Sequence, residues 1–209
     1  NCYMKHTFKI ATLTLMVGLS SSVFAADFVE GKDYKVVANP ENIAGDVIVV
    51  REFFWYGCPH CYNLESHMQK WAKTRAKDVA FFRTPAVMNP VWEVPGRGFY
   101  AAQLMGYEEK THQALFDTIQ KENKRVDKSQ ETLADWYASY GVDKAKFNSL
   151  YNSFAVTTKI ERAKQGAKRY QLTGVPAIVV HGKYVVQGED EKVTQVVDYL
   201  IKKIREEKK

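Results

Sequence analysis

One stretch constrains this chain more than any other: "FFWYGCPHCYNLE", residues 53–65, with two cysteines three positions apart. Upstream of them, "DVIVVREFFWY" is an almost unbroken apolar run, rich in β-branched and aromatic side chains, as in a strand buried on both faces. Downstream, Leu64, Met68 and Trp71 recur at helical spacing, with Gln69, Lys70 and Lys73 between them. The pattern predicts a buried strand followed at once by a helix, with the cysteines at the junction.

The chain has three cysteines, and the first, Cys2, belongs to a different feature. Met4 is followed by Lys5 and Lys9, the apolar run "IATLTLMVGL" and the small-residue segment "SSSVFA". A basic start, a short apolar stretch, and Val23 and Ala25 at the two critical cleavage positions predict a secretory signal peptide ending at Ala25, with Ala26 the first mature residue. Asn1, Cys2 and Tyr3 stand before the predicted start. The apolar run is too short for a membrane span, which takes about 20 residues. Removing 25 of the 209 residues leaves 184, and losing the two lysines takes the net charge from +6 to +4. That length allows one large domain, or one domain carrying a big insertion. The bases are interspersed with acids, as in "KIERAKQGAKR" and "KKIREEKK", which reads as solvated helix surface and not as a nucleic-acid-binding face.

Export to an oxidising compartment lets disulfides persist. A stabilising disulfide works by closing a long loop, and Cys58 and Cys61 enclose only two residues, so the pair is a poor staple. A closed zinc site needs four ligands. The remaining histidines, His60, His67, His112 and His181, form no second ligand pair, so no metal is expected. Reactive thiols fit better. Pro59 suits the first helical turn, which puts Cys58 at the helix N-terminus, where free N–H groups and the dipole favour a thiolate. His60 can donate a hydrogen bond to the Cys58 sulfur and add positive charge, or be a plain exposed residue. Cys61, one turn further in, is expected to be more buried, less ionised and able to attack a mixed disulfide on Cys58.

Far along the chain, "YQLTGVPAIVVHGKYVVQG" holds two short strands, "AIVV" and "YVVQ", joined through His181, Gly182 and Lys183 as a hairpin. Gly174, Val175 and Pro176 precede it, with the isomer of Pro176 left open. Val193, Val196, Val197, Leu200, Ile201 and Ile204 then mark one face of a closing amphipathic helix.

Together the "CPHC" after "EFF", the leader, the "GVPA" loop and the segment "FNSLYNSFAV" resemble the DsbA family of Gram-negative bacteria over nearly all of the mature chain. The resemblance implies an α/β thioredoxin fold interrupted by an all-helical domain over the active site, here at about residues 90–164. The sequence agrees in pattern: Leu115, Phe116 and Ile119 form one helical apolar set, and Leu133, Trp136, Tyr137 and Tyr140 another, with Gly141 as C-cap. Asp143 precedes Phe147, Leu150 and Phe154, and these aromatics are expected in the core.

By the same resemblance, Glu52 matches a buried acid beneath the redox pair, and Arg83 stands where the family often has a basic partner. A buried carboxylate can have its pKa raised and relay the proton of Cys61, with Pro59 and His60 completing the catalytic turn. The alternative is a strand-end ion pair. Val175 and Pro176 are expected opposite the cysteines, pairing with an extended substrate segment. Trp55 and Tyr56 either add an apolar peptide surface or pack the core. The implied activity is that of a monomeric, periplasmic dithiol–disulfide oxidase acting on reduced, folding exported proteins through a mixed disulfide on Cys58. The family is itself a known case of a low thiol pKa and an oxidising potential, which sets that direction. Reoxidation is implied by a quinone-linked inner-membrane partner of the DsbB type. The redox group is the Cys58–Cys61 disulfide, with no organic cofactor. The rival readings are a reductase or isomerase, and a metal-binding chaperone.

Overall fold

The apolar run before the cysteines becomes β2 (Ile48–Phe54), the strand on which the fold is organised. A computed structural model describes residues 27–208, so the predicted leader and its cleavage site lie outside the described residues. With β1 (Lys35–Val36), β3 (Val79–Pro85), β4 (Ala177–Val180) and β5 (Tyr184–Gln187), β2 forms one mixed sheet in the order β1-β5-β4-β2-β3. It pairs parallel with β3 and antiparallel with β4. Flanked on both edges, it keeps Val50, Glu52, Phe53 and Phe54 within 1% of complete burial. The parallel pair needs a crossover, which α1 (Pro59–Thr74) supplies. The β4–β5 hairpin turns through His181 and Gly182, with φ of 50° and 66°, the sign that suits the twist of the two strands.

One sheet face is covered by α1 and α7 (Lys192–Glu207). Leu64, Met68 and Trp71 of α1 meet Val193, Val197, Leu200 and Ile204 of α7 over Ile48, Val50, Ile178 and Val180. Each fully buried side chain of this size contributes about 1.5–3 kcal/mol before entropic costs. The other face receives α6 (Phe154–Arg169), whose small residues allow close approach: a Cβ at Gly166 would lie 3.3 Å from the Phe53 ring.

Between β3 and β4 the described chain is helical throughout. α2 (Pro90–Leu104), α3 (Glu108–Phe116), a π-helical turn at Asp117–Lys121, a 3-10 turn at Val126–Lys128, α4 (Gln130–Ser139) and α5 (Lys144–Tyr151) lead into α6, which runs to Arg169. Phe99, Leu115, Phe116, Leu133, Tyr137, Phe147 and Ile160 form the insertion's core. That cluster continues without a break into Phe54, Tyr56, Cys58 and Cys61, so the helical part and the cysteine turn share one apolar interior.

Gly141, at φ 91°, follows the end of α4 as the expected cap residue. One expectation needs correcting here. Phe154 is 86% exposed and not in the core. The helical pattern breaks after Tyr151, Ser153 caps a new helix through the N–H of Val156, and Phe154 falls on its outer first turn. No helix among the described residues is long and apolar enough to cross a membrane.

Candidate functional site

Cys58 is the N-cap of α1, extended at φ −94° and ψ 114°, with Pro59 in the first turn. Its Sγ accepts a hydrogen bond from the Cys61 backbone N–H at 3.3 Å. Cys58 keeps 6% of its surface exposed and Cys61 none, the asymmetry expected of an attacked and a shielded sulfur. The two thiols are not bonded to each other. Since β2 and β4 are antiparallel with Phe53 opposite Ala177, the end of β2 and the start of β4 meet at one edge. Val175 thereby comes against the cysteine turn, its carbonyl oxygen 3.6 Å from the Cys58 Sγ. The Val175–Pro176 peptide bond is cis.

The two thiols are polarised in opposite directions. A hydrogen bond from the Cys61 thiol, the backbone N–H groups of Cys61 and His60, and the His60 charge together outweigh burial and lower the Cys58 pKa to about 6. Burial, reinforced by the Cys58 hydrogen bond and charge, pushes the Cys61 thiol far up. At pH 7 a thiol with a pKa of about 6 is roughly nine-tenths thiolate, against about 3% for an ordinary cysteine.

His60 differs from its expected geometry. Its ring is exposed and its Nδ1 bonds the Glu189 carboxylate, which also accepts from Asn63 at 3.3 Å. That hydrogen bond raises the His60 pKa. The imidazole therefore helps Cys58 as a nearby charge, and the direct contact comes from main-chain N–H groups, because the first helical turn aims them at the N-cap sulfur.

Glu52 is fully buried, and neither carboxylate oxygen has a hydrogen-bond partner among the described groups. Burial pushes its pKa well up, Glu65 adds to this, and Arg83 opposes it. Glu52 and Arg83 face each other in the β2–β3 register, yet no strand-end ion pair forms between them. The Arg83 guanidinium instead donates to Glu65 at 3.3 Å, Glu108 at 3.3 Å and Glu109 at 3.0 Å.

Glu65 and His112 are the residues that sequence reasoning missed. Burial pushes the Glu65 carboxyl up, but His112 and Arg83 outweigh it and hold the group below its usual range. His112 Nε2 lies 3.2 Å from Glu65, and its Nδ1 lies 2.8 Å from the Tyr56 hydroxyl. A buried polar chain thus runs Arg83–Glu65–His112–Tyr56 beneath the cysteines. Signals for it existed. Glu65 shares the buried stripe of Cys61, Leu64 and Met68, and His112 precedes Leu115 and Phe116 by three and four positions.

The π-turn contributes as well. Its Gln120 side chain donates to the Tyr56 carbonyl at 2.7 Å, while Asp117 accepts from the Tyr62 hydroxyl at 3.0 Å. Single π-turns inside helices often mark functional sites. Tyr56 is 2% exposed and serves the core, so it offers no surface to a peptide. Trp55 is half-buried and stacks on Trp92 with ring centroids 4.4 Å apart. Gly57 is required beneath it, since a Cβ there would lie 2.2 Å from the indole. Met88 and Val91 stay exposed near the start of α2.

The chain is similar to known proteins. Residues 85–200 match the family described as the DSBA-like thioredoxin domain. The thiol:disulfide interchange protein DsbA of Pseudomonas aeruginosa is 41% identical over 203 residues, covering 92% of this chain and 95% of the relative. The DsbA of Azotobacter vinelandii is 40% identical, covering 89% of each. The crystal structure of Pseudomonas aeruginosa DsbA superposes with a TM-score of 0.80 at 42% identity, covering 85% of this chain and 95% of that one. The DsbA from Xylella fastidiosa gives 0.79 at 34%, covering 85% and 97%. The chain belongs to the DsbA family of thioredoxin-fold proteins.

Proposed function

We propose that this chain is a thiol:disulfide oxidoreductase working as a dithiol oxidase, which passes the Cys58–Cys61 disulfide to cysteine pairs of other proteins. The observation that carries the direction is the opposed polarisation of the two thiols, with Cys58 lowered to about 6 and Cys61 pushed up. A stabilised thiolate favours the reduced protein, so the oxidised one readily gives its disulfide away.

The exchange balances as follows. A substrate thiolate attacks the Cys58 sulfur, an S–S bond forms between them, and the Cys58–Cys61 bond breaks. Cys61 leaves with the electron pair and takes up a proton, since its thiolate is strongly disfavoured. Glu52, whose pKa burial pushes well up, is suited to exchange that proton with Cys61. A second substrate thiolate then attacks the substrate sulfur of the mixed disulfide. Cys58 leaves as the stabilised thiolate, the substrate is oxidised and the protein holds a dithiol. Val175 and Pro176 offer the backbone beside which an extended substrate segment can lie. Pro59 and His60 support the Cys58 thiolate through the helix start and through charge.

The partners in this reading are reduced exported proteins in the periplasm, with a DsbB-type, quinone-linked membrane oxidase to restore the disulfide. The disulfide is the only redox group that the exchange requires. The domain reading is one DsbA-like unit from residue 26 to 209, with residues 90–164 as its insertion and α6 continuing past it to the sheet. The test is equilibration of the cysteine pair in glutathione buffers, followed by reaction with a reduced two-cysteine peptide. A potential well above the roughly −270 mV of thioredoxin, with faster peptide oxidation than by glutathione disulfide, supports the oxidase. A thioredoxin-like potential makes the chain a reductase.

A further inference from the structure

Away from the cysteines, a cavity of about 480 Å³ opens between the sheet and α6. Arg51, Lys159, Arg162 and Arg169 line it against a single acid, Glu41, whose carboxylate is engaged by the Tyr170 hydroxyl. The interleaved charges of "KIERAKQGAKR" conceal this in the sequence. Helical periodicity brings Lys159, Arg162 and Arg169 onto one face of α6, beside Gly166.

Among the described residues, Arg51, Lys159, Arg162 and Arg169 have no carboxylate partner. Two of these heads are held in place. Arg51 lies over the Phe82 ring and donates to Thr84 at 2.8 Å, and Lys159 sits 5.4 Å over the Tyr100 ring. The strand alternation turns the Arg83 side chain to the opposite sheet face, where it is held by Glu65 of α1, so it offers no donor to this space. Like charges gathered in a concavity repel one another. An anion relieves that repulsion.

We propose that this cavity is a binding site for a small multivalent oxyanion, a compound carrying two or more carboxylate or phosphate groups. Several guanidinium forks converging on one space match such groups bidentately, and the volume falls within the usual range of ligand pockets. No residue of the cysteine turn or of the Val175 loop lines the cavity, so the site is separate from the redox centre.

The experiment is a titration of the mature protein with citrate and, separately, with pyrophosphate, at ionic strength held constant with sodium chloride and followed by amide NMR. The expected result is saturable one-to-one binding of at least one of them, with shifts centred on Arg51 and α6. The stronger ligand identifies carboxylate or phosphate chemistry. The double variant Arg162→Gln, Arg169→Gln alters two exposed side chains, and its Cys58 alkylation rate reports that the fold is intact. It should weaken binding at least tenfold. Shifts that never saturate for either anion, or saturable binding that the double variant leaves unchanged, overturn the proposal.

Discussion

The Sγ of Cys58 stands 3.6 Å from the carbonyl oxygen of Val175, although 117 positions separate the two residues in the chain. That contact puts the reactive sulfur beside the main chain of a half-buried residue. In the exchange proposed above, a peptide that reaches the sulfur would lie beside backbone with which it can pair, whatever its sequence.

Alkylation of reduced protein by iodoacetamide should rise with pH about a midpoint near 6, reporting the Cys58 thiolate. The largest contribution to that value is the hydrogen bond from the Cys61 thiol, so Cys61→Ala should move the midpoint upward. The linked stability has a definite sign. With its pKa depressed in the folded state, Cys58 contributes stability to the reduced form above the pKa of an unfolded thiol, about 8.5, and that contribution is lost as pH falls through about 6. A midpoint near 8.5 in the native protein would falsify the thiolate mechanism.

Glu52 carries the opposite sign. Burial raises its folded pKa, so its contribution is fully present below the unfolded value, about 4.3, and is lost as pH rises toward the folded value. Glu52→Gln cannot ionise. Urea denaturation of the reduced proteins should therefore show the variant gaining on the parent between pH 4.5 and pH 8. A stability difference that stays constant across that range would mean that Glu52 does not hold its proton.

His112→Ala should cost about 3 kcal/mol, because it leaves the buried Tyr56 hydroxyl without the His112 ring and the Glu65 carboxylate with Arg83 but not His112. Tyr56→Phe should cost about 1 kcal/mol. The double variant should fall short of the sum, since both changes act on one network. Simple additivity in chemical denaturation counts against a connected chain.

Gln120→Ala removes the donor to the Tyr56 carbonyl two residues before Cys58. We expect a loss of about 1–2 kcal/mol, with faster amide exchange at Gly57 and Cys58. Unchanged exchange there would show that the π-turn does not steady the cysteine turn.

Glu189→Gln should lower the titration midpoint of the His60 ring, followed by NMR, because the Glu189 hydrogen bond is the main cause of its elevation. An unmoved His60 midpoint contradicts the pairing.

Local pattern carried much of this molecule. Period and composition marked β2, the β4–β5 hairpin and the buried stripe of α7, since the side chains that fill a core are also those that set its periodicity. The Cys58–Pro59 junction predicted the cap of α1, because capping depends on neighbouring residues alone. Phe154 was misplaced for the complementary reason: a helix break two residues earlier turned it outward, and an aromatic residue carries no record of which face it will occupy.

Only the tertiary structure decided which distant groups meet. Arg83 chose Glu65 over Glu52, His112 reached across from the insertion to Tyr56, and the bases of α6 gathered around one cavity. Such pairings depend on the register of strands and the rotation of helices, and so on the packing of the whole chain. Sequence determined the chemistry available at the redox turn, because two thiols and a helix start lie within four consecutive residues. Folding decided the proton and charge partners of that turn, because these come from segments that only packing brings together.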